Sequence, residues 1–143
     1  MTFRFRRPAG FTLIELMVVL VIVAVLAALA WPSFINAVNR SRRSDAMSAL
    51  AEIMQAQERW RANKPSYRAS LTIPDLLPGT RTVSAGGHYD LSMVAGSVSE
   101  TGYQVRADVR AGSPQSSDSS CQTLQVQMAG GQVRYTPEAC WVR

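Results

Sequence analysis

Hydrophobic positions divide this chain into three stretches with different periods. From Phe11 to Trp31 nearly every side chain is apolar, Glu15 is charged, and no charge occurs from Leu16 to Trp31. A run of about 20 such residues suits a membrane-spanning helix. Further on, Ala46, Ala49, Leu50, Ile53, Ala56 and Trp60 recur at helical spacing, while Arg42, Asp45, Glu52 and Arg59 fall on the other face. The pattern predicts one helix from Phe11 to about Arg61, roughly 75 Å long at 1.5 Å per residue. It is apolar all round in its first half and amphipathic in its second. Pro32 lacks an N–H and clashes with the preceding turn, so a bend or local melting is expected between Ala28 and Pro32. Trp31 suits either an interfacial anchor or packing against a neighbouring chain.

Residues 63–87 carry Pro65, Pro74, Pro78-Gly79 and Gly86-Gly87 and read as a connecting loop. Period-two alternation takes over beyond it. Tyr89, Leu91, Met93 and Ala95 alternate with polar neighbours, as do Tyr103, Val105, Ala107 and Val109, and then Leu124, Val126 and Met128. Val133 and Tyr135 follow an Ala129-Gly130-Gly131 turn. Such half-buried strands with short turns are antiparallel neighbours, and the helix face ending at Trp60 supplies the cover their apolar side needs. The expected class is α+β, a long N-terminal helix packed on an antiparallel sheet of about four strands. Ala111 to Ser120 reads as a mobile polar loop entering Cys121.

Charge changes this picture little. The net charge is +5, but Arg4, Arg6 and Arg7 precede the apolar run with no acid among them, as cytoplasmic flanks of membrane segments do. From Lys64 onward bases and acids nearly cancel. Local clusters remain at Arg40, Arg42 and Arg43, and at Lys64, Arg68 and Arg81. Either group could meet DNA phosphates, with Tyr67 stacking on a base, and the first could equally meet lipid headgroups. Cys121 and Cys140 have no ligand-spaced partner for a metal. In an exported domain they most simply form one disulfide, which would contribute roughly 3 kcal/mol; two free thiols are the alternative.

Enzyme chemistry finds no support. His88 is the single histidine and reads as an ordinary strand residue. No nucleophile elbow, phosphate loop, dinucleotide pattern or metal motif is present, so neither metal nor cofactor is expected. Asn39-Arg40-Ser41 matches a glycosylation sequon inside a helix and reads as chance.

Glu15 needs an explanation, because an unpaired charge deep in a bilayer costs about 3 kcal/mol. A secretory signal ending at Ala28-Leu29-Ala30 and a plain single-pass anchor both leave it unexplained. Cleavage between Gly10 and Phe11 does not: it creates an amine four residues before Glu15, on the same helix face. That amine could neutralise Glu15 in its own chain or in a neighbour, and the pairing would set the axial register of an assembly.

The run GFTLIELMVVLVIVAVLAALAWPS resembles the N-terminus of type IV pilins and the related secretion pseudopilins. The resemblance implies a leader over residues 1–10, cleavage after Gly10 by a prepilin peptidase, N-methylation of Phe11 and a filament-assembly role for Glu15. It also implies a helix-kinking role for Pro32. Residues 11–32 would then be the membrane or filament-core segment, 33–62 the amphipathic half of the same helix, and 88–143 the sheet with its disulfide-bonded C-terminal region. The expected partners are other pilin subunits, the inner-membrane assembly machinery and, before assembly, membrane lipid. More narrowly, Ser41 to Trp60 and Cys140-Trp141 resemble PilE-type minor pilins, a subgroup that includes ComP-like DNA receptors. Those receptors carry further cysteines where this chain has one pair. The leading reading is therefore an inner-membrane prepilin that becomes a minor subunit of an extracellular pilus. A DNA-uptake receptor or a secretion pseudopilin is the alternative.

Overall fold

The structure is a computed structural model that describes residues 10–72 and 77–141. The basic leader, apart from Gly10, and Pro74 of the connecting loop lie outside the described residues. One helix, α1 (Leu13–Arg61), spans 49 residues. Thr12 starts it: its Oγ1 accepts the Glu15 backbone N–H at 3.3 Å, the N-cap bond of a Thr-x-x-Glu sequence. Glu15 thus lies in the first turn, where the helix dipole favours an anion. Pro32 lies inside α1, which is helical on both sides of it, so no local melting interrupts the helix.

The chain forms two compact units, residues 1–37 and 38–143. In the first, the apolar side chains from Phe11 to Phe34 are exposed, and the helix is long and apolar enough to cross a bilayer. No face of this stretch is satisfied within its own unit, as its all-round apolar pattern leads one to expect.

In the second unit, four strands pair in the order β1 (Tyr89–Met93), β2 (Gly102–Val109), β3 (Thr123–Ala129), β4 (Gln132–Thr136). All neighbours are antiparallel, with Leu91 opposite Ala107, Val105 opposite Val126 and Met128 opposite Val133. Alternation decides which residues turn inward. Tyr89, Leu91, Tyr103, Val105, Ala107, Leu124 and Val126 are buried, together with Ala46, Ala49, Leu50, Ile53 and Ala56 of α1. Trp60 is only partly buried and packs at the rim of that core. Two glycines turn β3 into β4: Gly130 and Gly131 have φ of 57° and 82°, the left-handed pair a tight hairpin requires. At Gly102 the requirement is space, because a Cβ there would collide with the Met128 carbonyl oxygen.

Three expectations need correction. β1 stops at Met93 rather than Ala95, where Val94 and Ser97 form a turn. The loop before it is less irregular than its prolines and glycines suggested. Val83 bridges Asp90, and the Leu91 N–H donates to the Thr82 carbonyl at 2.7 Å, covering part of the β1 edge. Most clearly, Ala111 to Ser120 is no irregular loop, although only Ser113, Gln115 and Asp118 of it are buried. It folds into two 3-10 turns, Pro114–Ser117 and Ser119–Cys121, with Gln115 fully buried and Asp118 nearly so. These polar groups turn inward because their partners are there. Asp118 takes two bonds from Arg43 and one from Gln115, and Ser113 caps the first turn. The second turn delivers Cys121 to Cys140, and the two form a disulfide.

Candidate nucleic-acid interface

The last turns of α1 expose their charged side while the apolar side stays in the core. Arg59 is exposed, Trp60 is half-buried, and Asn63 and Lys64 follow in a tight turn just after the helix ends. Their side chains, with Ala56, Leu77 and Pro78, line a cleft of about 300 Å³. Lys64 Nζ lies 5.5 Å from the centre of the Trp60 ring, and the Arg68 guanidinium carbon lies 4.6 Å from it. Both distances are within range of cation–π attraction.

Backbone and side-chain bonds hold this cluster in place. Gln57 is fully buried and uses both ends of its amide on Arg68, donating to its carbonyl at 2.8 Å and accepting its N–H at 2.9 Å. Arg61 donates to the carbonyls of Lys64 and Glu100 at 2.8 and 2.9 Å. The guanidinium of Arg61 is therefore a strut across the loop, while Arg59 and Lys64 carry the exposed charge. A surface of this kind attracts anions, phosphates above all.

The sequence-derived cations fare differently. Lys64 and Arg68 come together on Trp60. Arg81 lies 3.7 Å from Glu52, an exposed pair. Arg40 is exposed and Arg42 partly buried on α1. Arg43 is not available to phosphates or headgroups. Its side chain is 17% exposed, and its guanidinium makes two bonds to Asp118, at 2.6 and 2.7 Å. Nor is Tyr67 free to stack on a base: its ring packs on Tyr103 at 4.7 Å and its hydroxyl donates to Glu58 at 3.0 Å. Burial and the nearby Glu58 carboxylate both hold the Tyr67 phenol above its ordinary pKa. Trp60 escapes a sequence reading as a site residue because it fits the core stripe. The spacing Trp60, Lys64, one helical turn apart, was the available signal.

A larger groove of about 700 Å³ runs beside β4, lined by Gln127, Gln132, Arg134, Tyr135, Glu138 and Trp141 among others. Among its described lining residues one arginine is matched by one carboxylate, so these lack the charge excess of the Trp60 cluster. His88 bonds Ser113 through Nδ1 at 3.1 Å and has a structural place beside the first 3-10 turn. Among the described residues no group of three or more His, Cys, Asp or Glu is arranged to hold a metal.

A family model described as type IV minor pilin ComP, DNA uptake sequence receptor, matches residues 32–125, which include the whole Trp60 cluster. The chain belongs to this family of ComP-type minor pilins. A second family model, the prokaryotic N-terminal methylation motif, matches residues 5–31. No curated protein matches the chain. The ComP-type chain is thus a structural pilin of the type IV system, made with a prepilin-type N-terminus and assembling with other pilins. Its apolar helix and that motif fit anchoring in the inner membrane before passage to a pilus. Family membership favours the pilus over a secretion pseudopilus and makes the subunit minor rather than major.

Proposed function

We propose that this minor pilin is cut between Gly10 and Phe11 by a prepilin peptidase and N-methylated at Phe11. Its domain at residues 38–143 then stands in the periplasm until the inner-membrane machinery draws the subunit into an extracellular pilus. Gly10 supports the cut. A side chain there would meet open space, so folding gives no reason for glycine. Phe11 and Glu15 are one helical turn apart, and the new amine would neutralise Glu15 as the subunit leaves lipid.

In the same reading the subunit contacts DNA, and the contact surface is the end of α1 with the loop that follows it. The observation that carries this is the gathering of Arg59, Lys64 and Arg68 about Trp60, inside the region matched by a DNA-receptor family. Titrating the full chain in non-ionic detergent micelles with fluorescent duplex DNA tests it. Salt-sensitive binding is expected, weakened roughly tenfold by Arg59→Glu with Lys64→Glu. Arg134→Glu, in the charge-balanced groove, should change little. Binding that is absent, or indifferent to the α1 charges, would refute this surface as the contact.

A further inference from the structure

We propose that the groove beside β4 is a binding site for a neutral oligosaccharide. It shares no described lining residue with the Trp60 cleft and does not rest on the DNA reading.

The register of the sheet supplies half of the lining. Leu124 and Val126 turn into the core with α1, so Gln127 faces the other way, and Arg134, its partner on β4, faces with it. Gln132 stands two residues earlier on the same face. After β4 the chain returns through a 3-10 turn, Glu138–Cys140, to Trp141. The Trp141 ring lies 4.7 Å from that of Tyr135, inclined by 50°, and its indole N–H donates to the Thr136 carbonyl at 3.3 Å. The Trp141 backbone N–H donates to the Glu138 carbonyl at 3.0 Å, and the neighbouring Cys140 is tied to Cys121. The aromatic wall is thus in place before a ligand arrives, which lowers the ordering cost of binding.

Polar side chains elsewhere on the outer face of the sheet answer one another. Arg106 donates to Ser92 at 3.3 Å and pairs with Asp108 at 2.8 Å. Thr123 donates to Asp108 at 2.7 Å, and Gln125 to Gln104 at 3.3 Å. In the groove the pattern stops. Among the described residues no side-chain hydrogen bond or ion pair engages Gln127, Gln132, Arg134 or Glu138. Their amide, guanidinium and carboxylate heads are planar and present paired donors or acceptors, which suit adjacent ring hydroxyls. Tyr135 is 41% exposed and adds an apolar face on which the C–H side of a sugar ring can lie. A saccharide asks for both kinds of surface at once. Phosphate asks for a cation excess, and the described lining residues have none. The volume of about 700 Å³ falls within the roughly 300–1,000 Å³ of small-ligand sites. In a pilus, this groove gives the subunit a hold on polysaccharide.

Saturation-transfer NMR of the full chain tests this, in a polyoxyethylene detergent that carries no sugar headgroup. The probes are neutral hexasaccharides of glucose, galactose, mannose and N-acetylglucosamine, with sialyllactose as the acidic control. At least one neutral hexasaccharide should bind, with an affinity that holds between about 50 and 200 mM salt. Tyr135→Ala should weaken it about tenfold, and Tyr135→Phe should retain most of it. Gln127→Ala and Arg134→Gln should each cost about three- to tenfold. Neither of these two side chains is buried, so their loss of binding is not a loss of fold. Arg59→Glu with Lys64→Glu should leave sugar binding unchanged, and Tyr135→Ala should leave the DNA titration unchanged, so the two readings fail separately. The proposal is overturned if no neutral hexasaccharide binds. It is overturned equally if sialyllactose alone binds and salt removes it, which would make the groove an anion site. Binding that survives both Tyr135→Ala and Arg134→Gln undiminished would place the sugar elsewhere.

Discussion

Arg43 and Asp118 show how one side chain can be misread when its partner is distant in sequence. They stand 75 residues apart, and the aspartate sits in a serine-rich stretch without any apolar signal. In the fold, both carboxylate oxygens are used, by two guanidinium nitrogens and by Gln115. Removing one partner leaves the other charge poorly solvated. Asp118→Leu alone should therefore lower stability by about 3 kcal/mol, whereas Arg43→Met with Asp118→Leu should recover much of it. Denaturant unfolding of the four proteins in a double-mutant cycle measures this, and a loss of under about 0.5 kcal/mol would mean the pair does not hold the 3-10 turns. Other residue-scale features were open to reading. The Thr12-x-x-Glu15 capping sequence stands in plain view at the start of α1, yet the cost of a charge in lipid drew attention to Glu15 alone.

At the scale of elements, alternation found the strands because one face of the sheet is buried, and a one-residue slip would turn every apolar side chain outward. It was weakest at β4, an edge strand whose residues are nearly all exposed, and it could not see the Val83 bridge, which is made by backbone groups. Polar composition alone cannot tell a solvated loop from an inward-turned one, hence the error at residues 111–120. Burial also loads two strands with tyrosines that resist ionisation. Desolvation, then the charge of Asp118, pushes the Tyr89 phenol up to about 12, and desolvation with Glu58 raises that of Tyr103 further. Below about pH 10 both phenols are protonated whether or not the chain is folded, so this contribution is intact. Above it the unfolded chain ionises first, and stability falls as pH rises through 10 to 12. The unfolding temperature should drop across that window. Tyr103→Phe should flatten the drop at little cost near neutrality, because the Tyr103 hydroxyl is buried without a hydrogen-bond partner. An unchanged alkaline profile in Tyr103→Phe would show that this phenol ionises alike in both states.

For the whole molecule, the sequence was legible wherever a length or a period stands for a physical environment. The apolar run announced lipid or a filament interior, and the amphipathic half announced a sheet to cover. What the molecule touches was less legible, because charge excess is local and emerges only when Lys64, Arg68 and Trp60 converge. Assembly belongs to this scale. Glu15→Ala should insert and be processed normally, giving an N-terminal peptide that begins at methylated Phe11 in mass spectra. It should nevertheless be depleted several-fold from sheared fibres, since an unmatched carboxylate would no longer draw the subunit to a neighbour's amine. Normal incorporation of Glu15→Ala would show that the pairing is dispensable.

The Cys121–Cys140 bridge has a consequence beyond its effect on folding. It closes a covalent ring that contains β3, the glycine turn and β4. A protease that nicks the exposed Gly130-Gly131 turn would open the backbone yet release nothing, because both pieces remain joined through sulfur. The same nick at residues 63–72 would leave α1 joined to the sheet by packing alone. The β3–β4 hairpin thus tolerates a cut at its own turn, and parting the two pieces there takes a reductant as well.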